Sequence, residues 1–481
     1  KPPSSEKVVF GLLESMILPV RAPAGGAFHP KIWVMRFLVP DSDAPPLIRL
    51  LVLSRNITFD RSWDISLQLD GRPGTADIPE NVQLGSLIAD LPSFALHPLS
   101  EEKRHAVQVL ADEVKRTVWE LPESFDSIYF HGPGRDGKKW IPERSQSMLV
   151  ISPFLTPEAL EWLSRQTSNL KAVISRPDEL DQLPSGTQSL SQNWYTLHEA
   201  AETEDGEEQE SKDTHGLHAK AYLAEEGRRS RLYIGSANAT NAALLNYNNI
   251  EIIAELVGRT SELGTIDEFL SEEGMGNLLS EYQPPKETTP ETDGEEQAQR
   301  NLEICARALA DAGIKVVCQP DDQNWKVALE FTAAPDLKEL SKLRAWPITV
   351  SADRAVEIPF AIAGSSCALG RYSLESVTGL IAFELIEKNL GVHRKLVLNL
   401  PLEGIPAGQR EDAVFRMILN NQDGFLKYLL LLLGEEARGL LPGSANPFSG
   451  DGKWAWMHSL SKDAPILEEL TRCFSRTPEK L

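Results

Sequence analysis

One pattern of residues occurs twice in the chain and constrains its fold more than any other feature. The first copy has His-x-Lys at 29–31, Ser-x-Asn at 54–56 and an acid, Asp64. The second has His-x-Lys at 218–220, Ser-x-Asn at 236–238 and an acid, Glu251. His29 and Asn56 are 27 residues apart and His218 and Asn238 are 20 apart, and the excess of seven equals the turn-rich stretch 40–46. Two matched copies require a common explanation, so we expect two similar halves.

The residue types of the repeat suit the chemistry of a phosphate. Alternate residues of a strand point to the same side, so His-x-Lys places an imidazole beside an ammonium. Lysine and asparagine can stabilise non-bridging phosphate oxygens, and imidazole can attack phosphorus or transfer a proton. Cleavage of a phosphodiester needs both a nucleophile and an acid for the leaving oxygen. One copy supplies a single histidine, so two copies facing each other are expected to form one active site.

The repeat resembles the paired half-motifs of the phospholipase D superfamily over roughly residues 8–70 and 147–258. This resemblance implies a metal-independent phosphodiesterase without a cofactor, in which one histidine becomes a phosphohistidine and the other protonates the leaving group. It implies an α/β fold with a pseudo-twofold axis between two sheet-containing halves. The implied catalytic residues are His29, Lys31, Asn56, His218, Lys220, Ser236, Asn238, Asp64 and Glu251.

The sequence departs from the family at two positions. An aspartate commonly follows the motif lysine by five residues, whereas this chain has Arg36 and Glu225 there. The tyrosyl-DNA phosphodiesterase branch also lacks that aspartate, and the sequence is similar to that branch in this respect. The resemblance would make His29 the nucleophile and His218 the acid, although the pseudo-symmetry also allows the reverse. A nuclease or DNA end-processing enzyme is the expected function, with a bacterial anti-phage defence system as one setting.

The net charge of −22 argues against a nucleic-acid substrate, because phosphate binding needs a basic surface. Much of the negative charge lies in two runs, 202–213 and 284–296, which are typical of solvated loops, so a local basic groove is still compatible with it. Two alternatives stay open. One is a peripheral phospholipid hydrolase, and the other is a non-catalytic subunit that binds a helicase or another defence-system protein.

Strand and helix patterns predict four regions. Residues 1–145 form the first half with a helical insertion near 100–119, and residues 146–283 form the second half with a β-α-β start. Residues 284–300 are predicted to be an acidic linker, and 301–481 a C-terminal α+β domain of unknown role with a long helix over 410–436. The β-α-β segment 147–192 has no counterpart before His29, so we expect either an upstream segment or a partner element in its place.

The spacing of the cysteines and the length of the apolar runs indicate the cellular compartment of the protein. None of the four cysteines forms a C-x-x-C pair, which argues against a zinc site and a disulfide framework. The longest apolar run, near 425–433, contains Lys427 and is too short to cross a bilayer. We therefore expect a cytoplasmic protein without integral membrane association.

Overall fold

The computed structural model describes residues 8–419, except 23–24, 39–43, 57–60, 133–139, 185, 199–214, 285–292, 361–363, 365 and 407. The fold is mixed α/β, with several sheets, as the sequence predicts. The chain divides into two compact units, Val20–Thr289 and Lys1–Pro19 together with Pro290–Leu481. This division differs from the predicted one at the start of the chain. The 3₁₀ helix Val8–Ser15 belongs to the unit that contains Pro290–Leu481, which we call the second unit, and not to Val20–Thr289.

The unit Val20–Thr289 is built mainly from strands. Its strands are β1 (Ile32–Phe37), β2 (Leu47–Leu53), β3 (Arg61–Trp63), β4 (Ser66–Pro73), β5 (Thr117–Glu120), β6 (Phe125–His131), β7 (Ser145–Ile151), β8 (Thr167–Ile174), β9 (Asn193–Leu197), β10 (His215–Leu217), β11 (Ala221–Glu226), β12 (Arg229–Gly235), β13 (Ile253–Arg259) and β14 (Leu279–Glu281). Its helices are α1 (Val82–Phe94), α2 (Glu101–Arg116), α3 (Pro157–Ser164), α4 (Pro177–Asp181), α5 (Thr260–Leu263) and α6 (Ile266–Leu270).

Two sheets carry the repeated motifs. The first has the order β1-β2-β4-β5, and the second has the order β14-β9-β8-β7-β11-β12-β13-β6. The antiparallel series β1-β2-β4 corresponds to β11-β12-β13, and each series continues into a strand of the segment Thr117–His131. The parallel strands β7, β8 and β9 extend the second sheet beside β11. Within the described residues, β1 is an edge strand with no such extension.

A shared core joins the two sheets. Buried side chains of β2 and β4, such as Leu50 and Leu69, belong to the same cluster as Ile234, Ile252 and Leu256 of the second sheet region. The helices α1 and α2 cover part of this core. Burial of apolar surface stabilises the folded state by about 25 cal/mol per Å². The common core therefore holds the two motif-bearing sheets together.

Several predicted strands and helices have different limits in the structure. The alternating residues 63–69 form two strands rather than one, β3 and β4, with Asp64 and Ile65 between them. The predicted helix over 100–119 ends at Arg116, because the β-branched and aromatic residues that follow form β5. The His-x-Lys residues lie immediately before β1 and β11 rather than inside them.

The second unit contains one long helix, α7 (Asp293–Ala310), and two four-stranded sheets. Its strands are β15 (Ile314–Asp321), β16 (Asn324–Phe331), β17 (Leu340–Pro347), β18 (Val356–Glu357), β19 (Ser366–Tyr372), β20 (Leu380–Glu387), β21 (His393–Asn399) and β22 (Leu402–Glu403). The helix α7 begins inside the predicted linker 284–300, so the end of that range is helical and not a linker. Ala298, Leu302, Cys305 and Leu309 give α7 a buried face at helical spacing.

The helix predicted over 410–436 begins as α8 (Gln409–Leu419), and its remainder lies outside the described residues. The acidic run 202–213 also lies outside the described residues. No helix found in the described ranges is long and apolar enough to cross a membrane.

Candidate active site

The two copies of the repeat meet through reciprocal backbone contacts. Phe28 pairs in parallel with Ile250, and the His29 amide donates to the Ile250 carbonyl at 2.9 Å. In the opposite direction β10 pairs in parallel with β3, and the His218 amide donates to the Trp63 carbonyl at 2.8 Å. In each copy, the residue before the histidine therefore pairs with the residue before the acid of the other copy.

Each acid is held by the serine of its own copy. The Ser54 hydroxyl donates to the Asp64 carboxylate and accepts a hydrogen bond from the Ile65 amide at 3.1 Å. The Ser236 hydroxyl donates to the Glu251 carboxylate and accepts from the Ile252 amide at 3.0 Å. These matching contacts explain why β3 and β4 are separate: the chain turns at Asp64, and its backbone is bonded to the end of β2.

His29 has a carboxylate on one ring nitrogen and an ammonium on the other. Its Nδ1 lies 2.9 Å from Glu251 Oε2, and its Nε2 lies 2.6 Å from Lys31 Nζ. The Glu251 carboxylate accepts a hydrogen bond, so Nδ1 carries the proton and Nε2 presents a lone pair. The two side chains of the first His-x-Lys thus lie side by side, as the spacing predicts. Glu251 is fully buried, which leaves its charge paired with the imidazole rather than with water.

Asn249 completes the support of this pair and was not predicted from the sequence. Its side-chain amide donates to Glu251 Oε1 at 3.2 Å, and its Oδ1 accepts from the Ala27 amide at 2.9 Å. It therefore joins the carboxylate to the segment that leads to His29. The Asn-x-Glu spacing was the available signal. Ser54 was likewise part of the motif, although only its counterpart Ser236 was proposed as a catalytic residue.

Lys31 and Lys220 are both buried, at 8% and 3% exposure. Burial lowers the pKa of Lys31 to about 8, against the opposing effects of Glu251 and Asp64. Burial, followed by the nearby charge of Lys31, lowers the pKa of Lys220 to about 8, and Asp64 and Glu251 again oppose the shift. The Lys220 ammonium donates to the carbonyls of Ser54 at 3.0 Å and His218 at 2.9 Å. The lysines and acids of both copies therefore interact within one site.

The two asparagines differ in their surroundings. The Asn238 side-chain oxygen is buried and has no hydrogen-bond partner among the described residues. Such a group is usually completed by a ligand or an ordered water. The Tyr222 hydroxyl donates to the Ala237 carbonyl at 3.0 Å and so fixes the loop that carries Asn238. Asn56 is exposed and follows the end of β2.

The two positions where the family commonly has aspartate serve the scaffold. Arg36 makes two hydrogen bonds, of 2.6 and 2.9 Å, with the Glu113 carboxylate of α2. Glu225 accepts from the Ile266 amide at 2.5 Å, at the start of α6. Neither contact joins the histidine cluster, so both departures are compatible with an intact site.

The described ranges contain no group of three or more His, Cys, Asp or Glu side chains arranged to hold a metal ion. The geometry places an imidazole whose Nε2 accepts from Lys31, two ammonium groups and two carboxylates around one centre, a set that suits a singly charged phosphodiester. The sequence matches no protein-family model and no curated protein, so the interpretation of this site depends on its own geometry.

Proposed function

We propose that Val20–Thr289 is a phosphodiesterase of the phospholipase D type that acts on DNA. The observation that carries the proposal is the reciprocal arrangement, in which His29 lies against Glu251 and His218 follows the residue paired with Trp63, next to Asp64. A fold that needed these residues only for stability would have no reason to build the same serine–acid contact twice. The reducing cytoplasm is the proposed compartment.

In the first step, His29 Nε2 attacks phosphorus while the bond to the leaving oxygen breaks. Protonated His218 gives its proton to that oxygen, and the product is a phosphohistidine with a free alcohol. Glu251 keeps Nδ1 protonated and offsets the positive charge that develops on the ring. Lys31, Lys220 and the Asn238 amide stabilise the non-bridging oxygens, whose charge is concentrated in the transition state.

In the second step, water attacks the phosphohistidine and gives a proton to the now neutral His218. The P–N bond breaks, and its electron pair returns to His29 Nε2, so that the product is a phosphomonoester. The choice of nucleic acid over lipid follows from the tyrosyl-DNA phosphodiesterase-like pattern, in which Arg36 and Glu225 replace the usual aspartates.

The test is to incubate the protein in EDTA with labelled single-stranded DNA, duplex DNA and a phosphatidyl substrate. We expect cleavage of DNA, and a loss of about 10³-fold or more in turnover for both His29→Ala and His218→Ala. His131→Ala is the matched control, because His131 Nε2 contacts Glu255 at 2.7 Å outside the site. Near-normal rates in either catalytic variant, or activity that returns only with added metal, would contradict the mechanism. Cleavage of the phosphatidyl substrate alone would instead assign the site to lipid.

A further inference from the structure

The two halves of the site differ at one position that the repeat makes directly comparable. Between the serine and the asparagine, the first copy has Arg55 and the second has Ala237. Arg55 Nε lies 3.9 Å from Asp64 Oδ2, and its guanidinium also donates to the Ser62 carbonyl at 3.4 Å. The Arg55 side chain is only 13% exposed, so this cation is held close to the acid of its own copy.

We propose that Arg55 gives the two histidines different roles, because it weakens the stabilisation that Asp64 gives to a cationic His218. The proposal rests on the phosphodiesterase function and deepens it, because it explains why His218 is the acid and His29 the nucleophile. Asp64 shares its charge with a guanidinium, whereas the position equivalent to Arg55 beside Glu251 holds an alanine, and Glu251 is fully buried. Arg55 is therefore a positioning residue that acts through Asp64.

The charged groups at this centre come from both copies of the repeat. Lys31 and His29 come from the segment before β1, Lys220 and His218 from the segment before β11, and the two acids lie before β4 and β13. Both lysines interact with both acids, so their charges bear on the two halves in a similar way. The guanidinium of Arg55 is the cation that one half has and the other lacks at this position.

The consequence concerns the strength of His218 as an acid. A carboxylate that is shared with an arginine stabilises a neighbouring imidazolium less than an unshared one. A weaker hold on its proton makes His218 a better proton donor to an alkoxide leaving group. Step two needs the neutral form of the same ring, which this arrangement also favours. His29, by contrast, lies against Glu251, which has an alanine and not an arginine at the equivalent position, and gains from its charge when the ring becomes cationic.

The experiment compares Arg55→Met with Arg55→Lys on two substrates that share a thymidine 5′-phosphoryl group. One releases a nucleoside alcohol, which needs a proton, and the other releases p-nitrophenolate, which does not. We expect Arg55→Met to lose about 10-fold in kcat on the alcohol substrate at pH 7 and less than about 2-fold on the other. Arg55→Lys should retain most of the rate. Arg49→Met is the matched control, because Arg49 on β2 pairs with Asp70 at 2.7 Å away from the site.

The second readout needs no substrate. Titration of ¹³C-labelled histidine in the full chain, with His218 assigned through His218→Gln, should show its pKa higher by roughly one unit in Arg55→Met than in the wild type. Equal losses on both substrates with no shift of the His218 pKa would overturn the proposal and make Arg55 a substrate or structural contact. A pKa shift in a protein that cleaves neither substrate would instead refute the phosphodiesterase function, and with it the role assigned to Arg55.

Discussion

Lys31 and Lys220 place two ammonium groups in a buried centre, and each has a pKa of about 8. Phosphate stabilisation needs the protonated forms, so kcat/KM should fall as the pH rises above about 8. The two groups interact, so the loss of one proton eases the retention of the other and the fall should extend over two steps. A bound phosphodiester favours the ammonium form, and the corresponding fall in kcat should therefore occur at higher pH. A pH–rate profile from 6 to 10 measures both.

Stability should change in the opposite direction over the same range. The pKa of both lysines in the folded chain is below the ordinary value of 10.5, so the unfolded chain binds more protons between about pH 8 and 10.5. These two groups therefore add stability as the pH rises through that window. Activity that is lost at pH 9 together with a lower denaturation midpoint would contradict this assignment, as would an unchanged alkaline limb in Lys31→Arg.

The residues of the repeat could be predicted from the sequence because each carries its chemistry in its own side chain. Asn249 and Ser54 could not be assigned as readily, because their importance lies in partners that are distant in sequence. Asn249 contacts Ala27, which is 222 residues away, and no local pattern encodes that contact. The tertiary fold alone decides which of several polar residues near an acid will hold its second oxygen.

At the scale of elements, the approach between the segment before His29 and the segment before Glu251 depends on Gly26. A Cβ at this position would lie 2.0 Å from the Asn248 carbonyl oxygen. Gly26→Ala should therefore separate these segments, lower the free energy of unfolding by about 1–3 kcal/mol and reduce turnover.

Gly216→Ala provides the control for that change. Gly216 lies in the corresponding stretch before His218, and a Cβ there would meet no atom of the described residues within 4 Å. Denaturant unfolding and turnover should both stay close to wild type in this variant. Equal effects in the two alanine variants would show that the close approach at Gly26 has no special importance.

Elements with a clear apolar pattern, such as β2, β7 and α3, can be recognised from the sequence. The elements that were missed depend on context. The helix α1 contains Pro92 and lies between loops, and the sequence did not indicate it. The acidic composition of 284–300 suggested a linker and obscured the helical spacing of Ala298 and Leu302, which pack into the second unit.

At the scale of the molecule, the second unit joins residues from both ends of the described chain. Glu14 Oε2 accepts from Arg410 at 2.7 Å, from the Gly379 amide at 2.6 Å and from the Thr378 hydroxyl at 3.0 Å. Arg410 is 8% exposed, so loss of Glu14 would leave its buried positive charge without this carboxylate. Glu14→Ala should destabilise this unit by about 3 kcal/mol.

Hydrogen exchange followed by mass spectrometry is the measurement for this variant. Protection should fall in 8–19 and in 290–419. Glu411→Ala is the control, because Glu411 pairs with the same arginine at 3.1 Å through a 45% exposed side chain, and such pairs contribute at most about 1 kcal/mol. Similar losses of protection in both variants would show that the pair with Glu14 contributes no more than a surface contact.

The crossed backbone contacts at His29–Ile250 and His218–Trp63 should make the proposed activity more fragile than the fold around it. His29 depends on the opposite copy for its acid, Glu251, so a small separation of the two segments breaks this pair while the four-stranded and eight-stranded sheets of the unit remain intact. Local openings of this kind need less free energy than global unfolding. Mild heat should therefore abolish the proposed activity while the circular dichroism of the protein is still native, and cooling should restore the activity without refolding.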